Sequence, residues 1–308
     1  MNKLTEESRA QKVALVTGAT GFVGSHLVQG LVKDGWQTHI ICRCDSNIPT
    51  FVEFDDVIKH FHDGSTDSMI NCLSDAKPDV VFHLASLFLS QHEAKDIDNL
   101  IQSNILFGTQ LLDAMRVNSI HNFINTGTSW QHYNNEDYNP VCLYAATKQA
   151  FDALLEYYLQ ACDFKAITLK LFDTYESNDP RPKLFYLLNK SAKTGQPLDM
   201  SKGEQLIDLV HIDDVVEAFI IASQRLLDNK VTKNESYAIS SNNPMPLREL
   251  VELYAKITEQ TIKVNWGARD YRYREVMKTW TKGNEIDCWT PKISLVDGMR
   301  KIFVNIKT

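Results

Sequence analysis

Paired cysteines, long apolar runs and excess positive charge are all missing from this chain, and each absence removes a class of function. Six cysteines, at 42, 44, 72, 142, 162 and 288, are scattered over 308 residues. The one close pair, Cys42/Cys44, has no second pair at metal-ligand spacing, so the cysteines read as reduced, mostly packing thiols and no metal site is expected. No apolar stretch approaches the roughly 18 residues needed to span a bilayer, and residues 1–12 are polar without an apolar signal core, so a soluble, cytoplasmic protein is expected. A formal net charge of −7 gives no electrostatic basis for binding nucleic acid or an anionic membrane. No internal repeat or low-complexity segment is present either.

What remains, 44% hydrophobic and 23% charged, suits a globular enzyme with one substantial core and a smaller lobe. Residues 13–17 read as a buried parallel strand, and 24–34 as an amphipathic helix turning Leu27, Val28, Leu31 and Val32 inward. Further strands are expected at 38–42, near 58–61, and at 79–83, 122–126 and 165–171. Asp98 can cap a helix running to about Met115, and a long helix carries Tyr144 and Lys148. Strands alternating with helices predict an α/β fold, a Rossmann-type doubly wound parallel sheet with a smaller C-terminal lobe. The cofactor domain is expected over 1–174, with 205–223 and about 235–241 returning to it, and a mainly substrate-binding lobe over 175–308.

The segment Gly18-Ala19-Thr20-Gly21-Phe22-Val23-Gly24 joins the first strand to the first helix. Glycine there lets backbone N–H groups approach a pyrophosphate, whose charge is favoured at a helix N-terminus. Gly18 would serve the turn, Gly21 the close approach and Gly24 the helix packing. A bare glycine-rich turn without ligand is the alternative, disfavoured by the flanking strand and helix. At the end of the second strand, where a carboxylate would bond the ribose 2′-hydroxyl of NAD, stand Cys42 and Arg43. Arg43 can pair with a 2′-phosphate, so NADPH/NADP is expected over NAD, unless Arg43 is simply a solvated strand end.

Tyr144 and Lys148, four residues apart, share one helix face, and a nearby ammonium favours the phenolate and would lower the phenol's pKa. Lys148 can also hold the nicotinamide ribose. A second YxxxK, Tyr186 to Lys190, shows that the string arises by chance, but only the first follows the fifth sheet strand, with hydroxyls at Thr126, Thr128 and Ser129 upstream.

In this order the motifs resemble the extended short-chain dehydrogenase/reductases, the NAD-dependent epimerase/dehydratase family acting on nucleotide sugars, over nearly the whole chain. The resemblance assigns the catalytic trio to Thr128, Tyr144 and Lys148. It implies cofactor contacts from Thr20, Phe22 and Val23 in the glycine loop, from Asp63 (adenine) and Gly64, and from Leu84, Ala85 and Ser86 after His83. Thr126, Phe172 and Thr174 complete that set. Substrate contacts are implied at Thr128, Ser129, Trp130 and Lys183, with Arg272 on the diphosphate; Asp208–Asp214 matches the RDFVHVDD element, with Ile207 where many relatives have arginine. Sugar dehydratases carry Asp-Glu after the catalytic threonine, where this chain has Ser129-Trp130. Epimerase-reductases place a cysteine where Trp130 stands, with His132 the one remaining candidate for their chemistry. The resemblance therefore implies a 4-ketoreductase of an NDP-4-keto-6-deoxyhexose, similar to CDP-abequose and CDP-paratose synthases and dTDP-fucose-forming reductases. Alternatives are a 4-epimerase with tightly bound NAD, a flavonoid-type reductase and a catalytically inactive NADP-sensing protein. A homodimer through helices near 98–115 and 144–160 is the family expectation. Whether Trp130, Trp266 and Trp280 line a pocket or pack in a core is open from sequence.

Overall fold

The computed structural model describes residues 11–43, 57–176, 179 and 181–307, with side chains up to 302. Cys44 lies outside the described residues. The first half alternates strand and helix: β1 (Val13–Thr17), α1 (Phe22–Lys33), β2 (Gln37–Arg43), β3 (Val57–His62), α2 (Thr66–Ala76) and β4 (Val80–His83). Then come α3 (Ile97–Ile101), a π-helical turn (Gln102–Leu106), α4 (Phe107–Val117), β5 (Asn122–Thr128), α5 (Leu143–Ala161) and β6 (Lys165–Leu171). The remainder comprises β7 (Asp173–Tyr175), α6 (Leu184–Thr194), β8 (Leu198–Met200), β9 (Leu206–Ile207), β10 (Leu209–His211), α7 (Ile212–Leu227) and β11 (Asn234–Ile239). The last elements are β12 (Met245–Pro246), α8 (Leu247–Thr258), β13 (Val264–Trp266) and α9 (Leu295–Lys307).

Seven parallel strands form one sheet in the order β11-β6-β5-β4-β1-β2-β3. The chain winds outward in both directions from β1 and β4, so the crevice above their carboxyl ends is the switch point at which such sheets bind ligands. Alternation along each strand divides the core. Ala14, Val16, Ile40, Phe82 and Ile124 pack under α1 and α7, whereas Leu15, Ile41, Val81 and Phe123 pack under α2, α4 and α5. A third core, built on Tyr175, Leu188, Leu250, Tyr254 and Met299, belongs to the C-terminal elements, whose β7–β10, β9–β12 and β8–β13 pairs stand apart from the large sheet.

The helix expected to be capped by Asp98 starts earlier. Glu93 and Asp96 form a reciprocal capping box, with the Glu93 N–H donating to Asp96 Oδ2 at 2.8 Å, and Asp98 sits inside the first turn of α3. Several acids crowd this start, and the cap is the one whose oxygen reaches back to a free N–H. Among the described residues no helix is long and apolar enough to cross a membrane.

Candidate active site

At the end of β1 the chain turns through Gly18, whose φ of +72° favours glycine and whose missing Cβ would lie 2.6 Å from the Ala85 nitrogen. A Cβ on Gly24 would lie 2.1 Å from the Gly18 carbonyl oxygen, so Gly24 lets the helix close on the loop's own backbone. Gly21 caps α1 without a side-chain acceptor, which leaves the first amides of the helix directed at the crevice. Thr20, Phe22 and Val23 are half-buried along the same turn. A backbone cradle that tolerates no Cβ, beneath a helix N-terminus, fits the pyrophosphate of a dinucleotide.

The neighbouring strand end is anchored to this loop. His83 Nδ1 lies 2.9 Å from Thr17 Oγ1, which also accepts the Ala85 N–H at 3.2 Å, while the Leu84 N–H donates to the Thr17 carbonyl. Burial and the Lys148 charge push His83 down to about 3, so its ring is neutral. At the sheet's outer side Arg43 ends β2 in register with His62 of β3, and Asp63 and Gly64 follow. The Asp63 carboxylate accepts the Ser65 N–H at 2.8 Å, a turn interaction that holds it below the usual carboxylate range.

β5 runs two residues beyond the predicted strand and ends at Thr128. Thr128 is buried; its hydroxyl accepts the Trp130 N–H at 3.3 Å and its N–H donates to Gln131 Oε1 at 3.0 Å. Thr126, lower on the strand, has a buried hydroxyl with no hydrogen-bond partner. Tyr144 lies in the first turn of α5 and Lys148 one turn later, both buried. Burial is the dominant influence on each. It pushes the Tyr144 phenol well above its ordinary range, with the Ser86 hydroxyl offsetting part of the rise, and pulls Lys148 down to about 8 against the attraction of Asp152. The expected lowering of Tyr144 by Lys148 is therefore corrected: desolvation wins, and Tyr144 is held as a phenol.

An aromatic wall stands beside the phenol. Phe88 meets Tyr144 edge-on with ring centroids 5.0 Å apart and contacts Trp130 at 5.6 Å. Lys183 sits 5.0 Å above Phe88 and 3.6 Å from Asp173, and Arg272 sits 5.4 Å from the Trp130 ring. Arg272 is also bound through two nitrogens to Glu275, at 2.8 and 3.0 Å. Ser129, Trp130, Phe172, Arg272 and Trp280 line a small pocket here. A larger cavity of about 560 Å³ adjoins it between the β7–α6 segment and the C-terminal lobe, lined by Thr174, Arg181, Lys183, Phe185, Arg269 and Arg272 among others. Ile207 lines both and supplies no charge.

Trp280 stacks on His132 at 3.9 Å, whereas Trp266 packs against Gly203 and Arg248 outside the two pockets. His132 is committed at both nitrogens: Nδ1 donates to the Glu136 carbonyl at 3.0 Å and Nε2 accepts from Lys170 at 2.8 Å. It has no free nitrogen for acid–base work. Tyr186, of the second YxxxK, is half exposed on α6 and lines the larger cavity, away from the glycine cradle.

Four further residues complete the site: Phe88, Gln131, Asp152 and Asn104. Asn104, buried in the π-helical turn, holds Leu87 by both main-chain groups and donates to Thr147 Oγ1 at 2.9 Å, joining the segment after β4 to α5. Asp152 had a sequence signal in its spacing four residues after Lys148. The others are brought in by tertiary contacts that no local pattern marks.

The chain is similar along most of its length to the CDP-abequose synthase of Yersinia pseudotuberculosis, 27% identical over 284 residues and covering 88% of this chain and 96% of the relative. The CDP-abequose synthase of Salmonella muenchen is 26% identical, covering 94% and 97%. Among solved structures, the UDP-glucose 4-epimerase of Thermotoga maritima with UDP-glucose superposes with a TM-score of 0.81 at 22% identity, covering 96% and 98%. The UDP-glucuronic acid 4-epimerase of Bacillus cereus, in complex with UDP-glucuronic acid and NAD, gives 0.81 at 24% identity with the same coverage. The sequence profile of the NAD dependent epimerase/dehydratase family matches residues 14–239, a span that includes the glycine cradle, Thr128, Tyr144 and Lys148, and the chain belongs to that family.

Proposed function

We propose that the protein is an NADPH-dependent 4-ketoreductase of a nucleotide-linked 4-keto-6-deoxyhexose. The observation that carries this reading is the arrangement of the crevice: a backbone cradle that admits no Cβ, Arg43 at the end of β2, and the buried Tyr144 and Lys148 one helical turn apart at the start of α5. A protonated phenol donates, and donation to a developing alkoxide is what carbonyl reduction requires. A bound nicotinamide would supply the hydride. Tyr144 gives its proton to the C4 oxygen, Thr128 hydrogen-bonds that oxygen, and the Lys148 ammonium stabilises negative charge on Tyr144 after transfer.

Whereas 4-epimerisation uses the same three side chains, sugar dehydration and epimerisation at further carbons need additional acids or bases. Here those near Thr128 are engaged: His132 as described, Asp208 by the Ser240 hydroxyl at 2.6 Å, and Glu275 by Arg272. The Phe88–Trp130 wall beside Tyr144 offers aromatic surface on which a 6-methyl group can pack, which supports a deoxy sugar. The larger cavity is of a size that holds a nucleotide, and Lys183, Arg269 and Arg272 in its lining support binding of a diphosphate, Arg181 being bound to Asp179. The CDP-abequose synthases among the relatives support a CDP-linked substrate, and Arg43 supports NADPH. Exposed Ile97, Ile101, Leu106 and Tyr157 on α3, the π-helical turn and α5 support a homodimer through those helices, which sedimentation would test.

The experiment is loss of NADPH absorbance with CDP- and dTDP-4-keto-6-deoxyglucose generated in situ, with NADH as a comparison. Turnover of a keto sugar is expected. No turnover of either, together with NAD that remains bound through purification and interconversion of two NDP-hexoses, would replace the reading with a 4-epimerase.

A further inference from the structure

Thr128 and the Tyr144/Lys148 pair belong to different elements, the end of β5 and the start of α5, yet all act at one oxygen. The junction between these elements is polar. Gln131 is fully buried; its Oε1 accepts the Thr128 N–H, and its Nε2 donates to Gln149 Oε1 at 2.9 Å and to Asp152 Oδ2 at 2.8 Å. The second oxygen of Asp152 accepts from Asn125 Nδ2, on β5, at 2.9 Å. A backbone N–H can only donate, so the Gln131 amide has one orientation and presents N–H to Asp152. Two N–H donors converging on the two oxygens suit an ionised carboxylate, which only accepts.

Asp152 follows Lys148 by one helical turn on the same face. Lys170 of β6, whose ammonium donates to His132 Nε2 at 2.8 Å, adds a second attracting charge at Asp152. Burial lowers both lysines and raises Asp152, and the attraction between opposite charges opposes burial at all three. The other titratable groups around Lys148 are Tyr144, on its own helix, and neutral His83 of β4.

We propose that Asp152 is a positioning residue of this site: its carboxylate keeps the Lys148 ammonium charged and, through Gln131, ties α5 to the strand end that carries Thr128. The inference rests on Lys148 belonging to the catalytic group. Its test is a titration of Lys148 in the full chain, labelled with carbon-13 at lysine Cε and assigned with Lys148→Arg, beside pH profiles of kcat. In Asp152→Asn the Lys148 midpoint should move to lower pH by about one unit, so that, beyond any uniform loss from the broken tie to Gln131, kcat falls about fivefold more at pH 8 than at pH 6. Lys170→Met, which removes a competing cation, should move the midpoint the other way. An unmoved midpoint in Asp152→Asn, or a loss of kcat equal at every pH, overturns the proposal. Should Asp152→Asn fail to fold, an unmoved or lowered midpoint in Lys170→Met does the same. If wild-type protein reduces no keto sugar, the ketoreductase reading fails while the lysine titration still decides the role of Asp152.

Discussion

Tyr144→Phe removes one oxygen from the site and leaves the ring in place. The ring packs edge-on against Phe88, and the hydroxyl's one side-chain partner is Ser86, so the folded state loses one modest hydrogen bond. That is worth about 1 kcal/mol, and the melting temperature should fall by no more than about 3 °C. The effect on chemistry is larger. The developing alkoxide loses its proton donor while keeping Thr128, a loss of about 10²-fold or more in kcat, or about 2.7 kcal/mol of transition-state stabilisation. NADPH affinity should change less than about twofold, because the glycine cradle is untouched. The assay is single-turnover reduction of the keto sugar with NADPH, beside a fluorescence titration of NADPH and a thermal melt. A variant within about threefold of wild-type kcat, with the melt unchanged, would refute Tyr144 as the donor.

Three further outcomes are expected. Lys148 has a folded-state proton affinity pulled from the ordinary 10.5 to about 8, so folding is penalised while it is charged and the penalty lifts as pH rises from about 8 toward 10. Wild type should therefore gain stability over that window relative to Lys148→Met, by up to about 3 kcal/mol, while kcat falls, as paired melts and rate profiles would show. Gly24→Ala drives a Cβ into the Gly18 carbonyl and should cost about 1–3 kcal/mol in urea unfolding, with at least tenfold weaker NADPH binding in a fluorescence titration. Arg43→Ala should raise the KM for NADPH about tenfold or more by removing a charge-assisted bond to the 2′-phosphate, with little change for NADH; equal losses with both would refute that role.

The strands and the glycine turn were legible because their signals are local. Apolar runs at 13–17, 38–42 and 79–83 could be read without knowing what covered them, and Gly18 and Gly24 stand where a turn must close without Cβ atoms. The pairing of Tyr144 with Lys148 follows from one helical turn, whereas Thr128 is set at the carboxyl edge of the sheet by the parallel pairing of β5 with β6, where it stands in register with Leu171. Gln131 and Phe88 show where local reading stops, since each acts on residues of another element. Arg272 lies between these cases. Its spacing from Glu275 is a helical i,i+3 interval, yet whether the two pair depends on a backbone that is not helical there. The observed bidentate pair means that any diphosphate approaching Arg272 meets a guanidinium already sharing its charge.

Tyr144 shows why proximity in sequence did not determine protonation. From the pattern alone the ammonium of Lys148 is the nearest charge and would favour phenolate. In the fold the phenol is enclosed by Phe88, Ser86 and its own helix, and the cost of desolvating an anion exceeds what its surroundings return. The same enclosure lowers Lys148 toward neutrality. The proton is thus held on the Tyr144 oxygen, a state that suits donation to a carbonyl oxygen. Catalysis of the reverse oxidation would require Tyr144 to start deprotonated, and burial opposes that starting state. Net reduction should therefore hold its rate toward neutral and mildly acidic pH, whereas oxidation of the corresponding alcohol should be slow there and gain as the pH is raised.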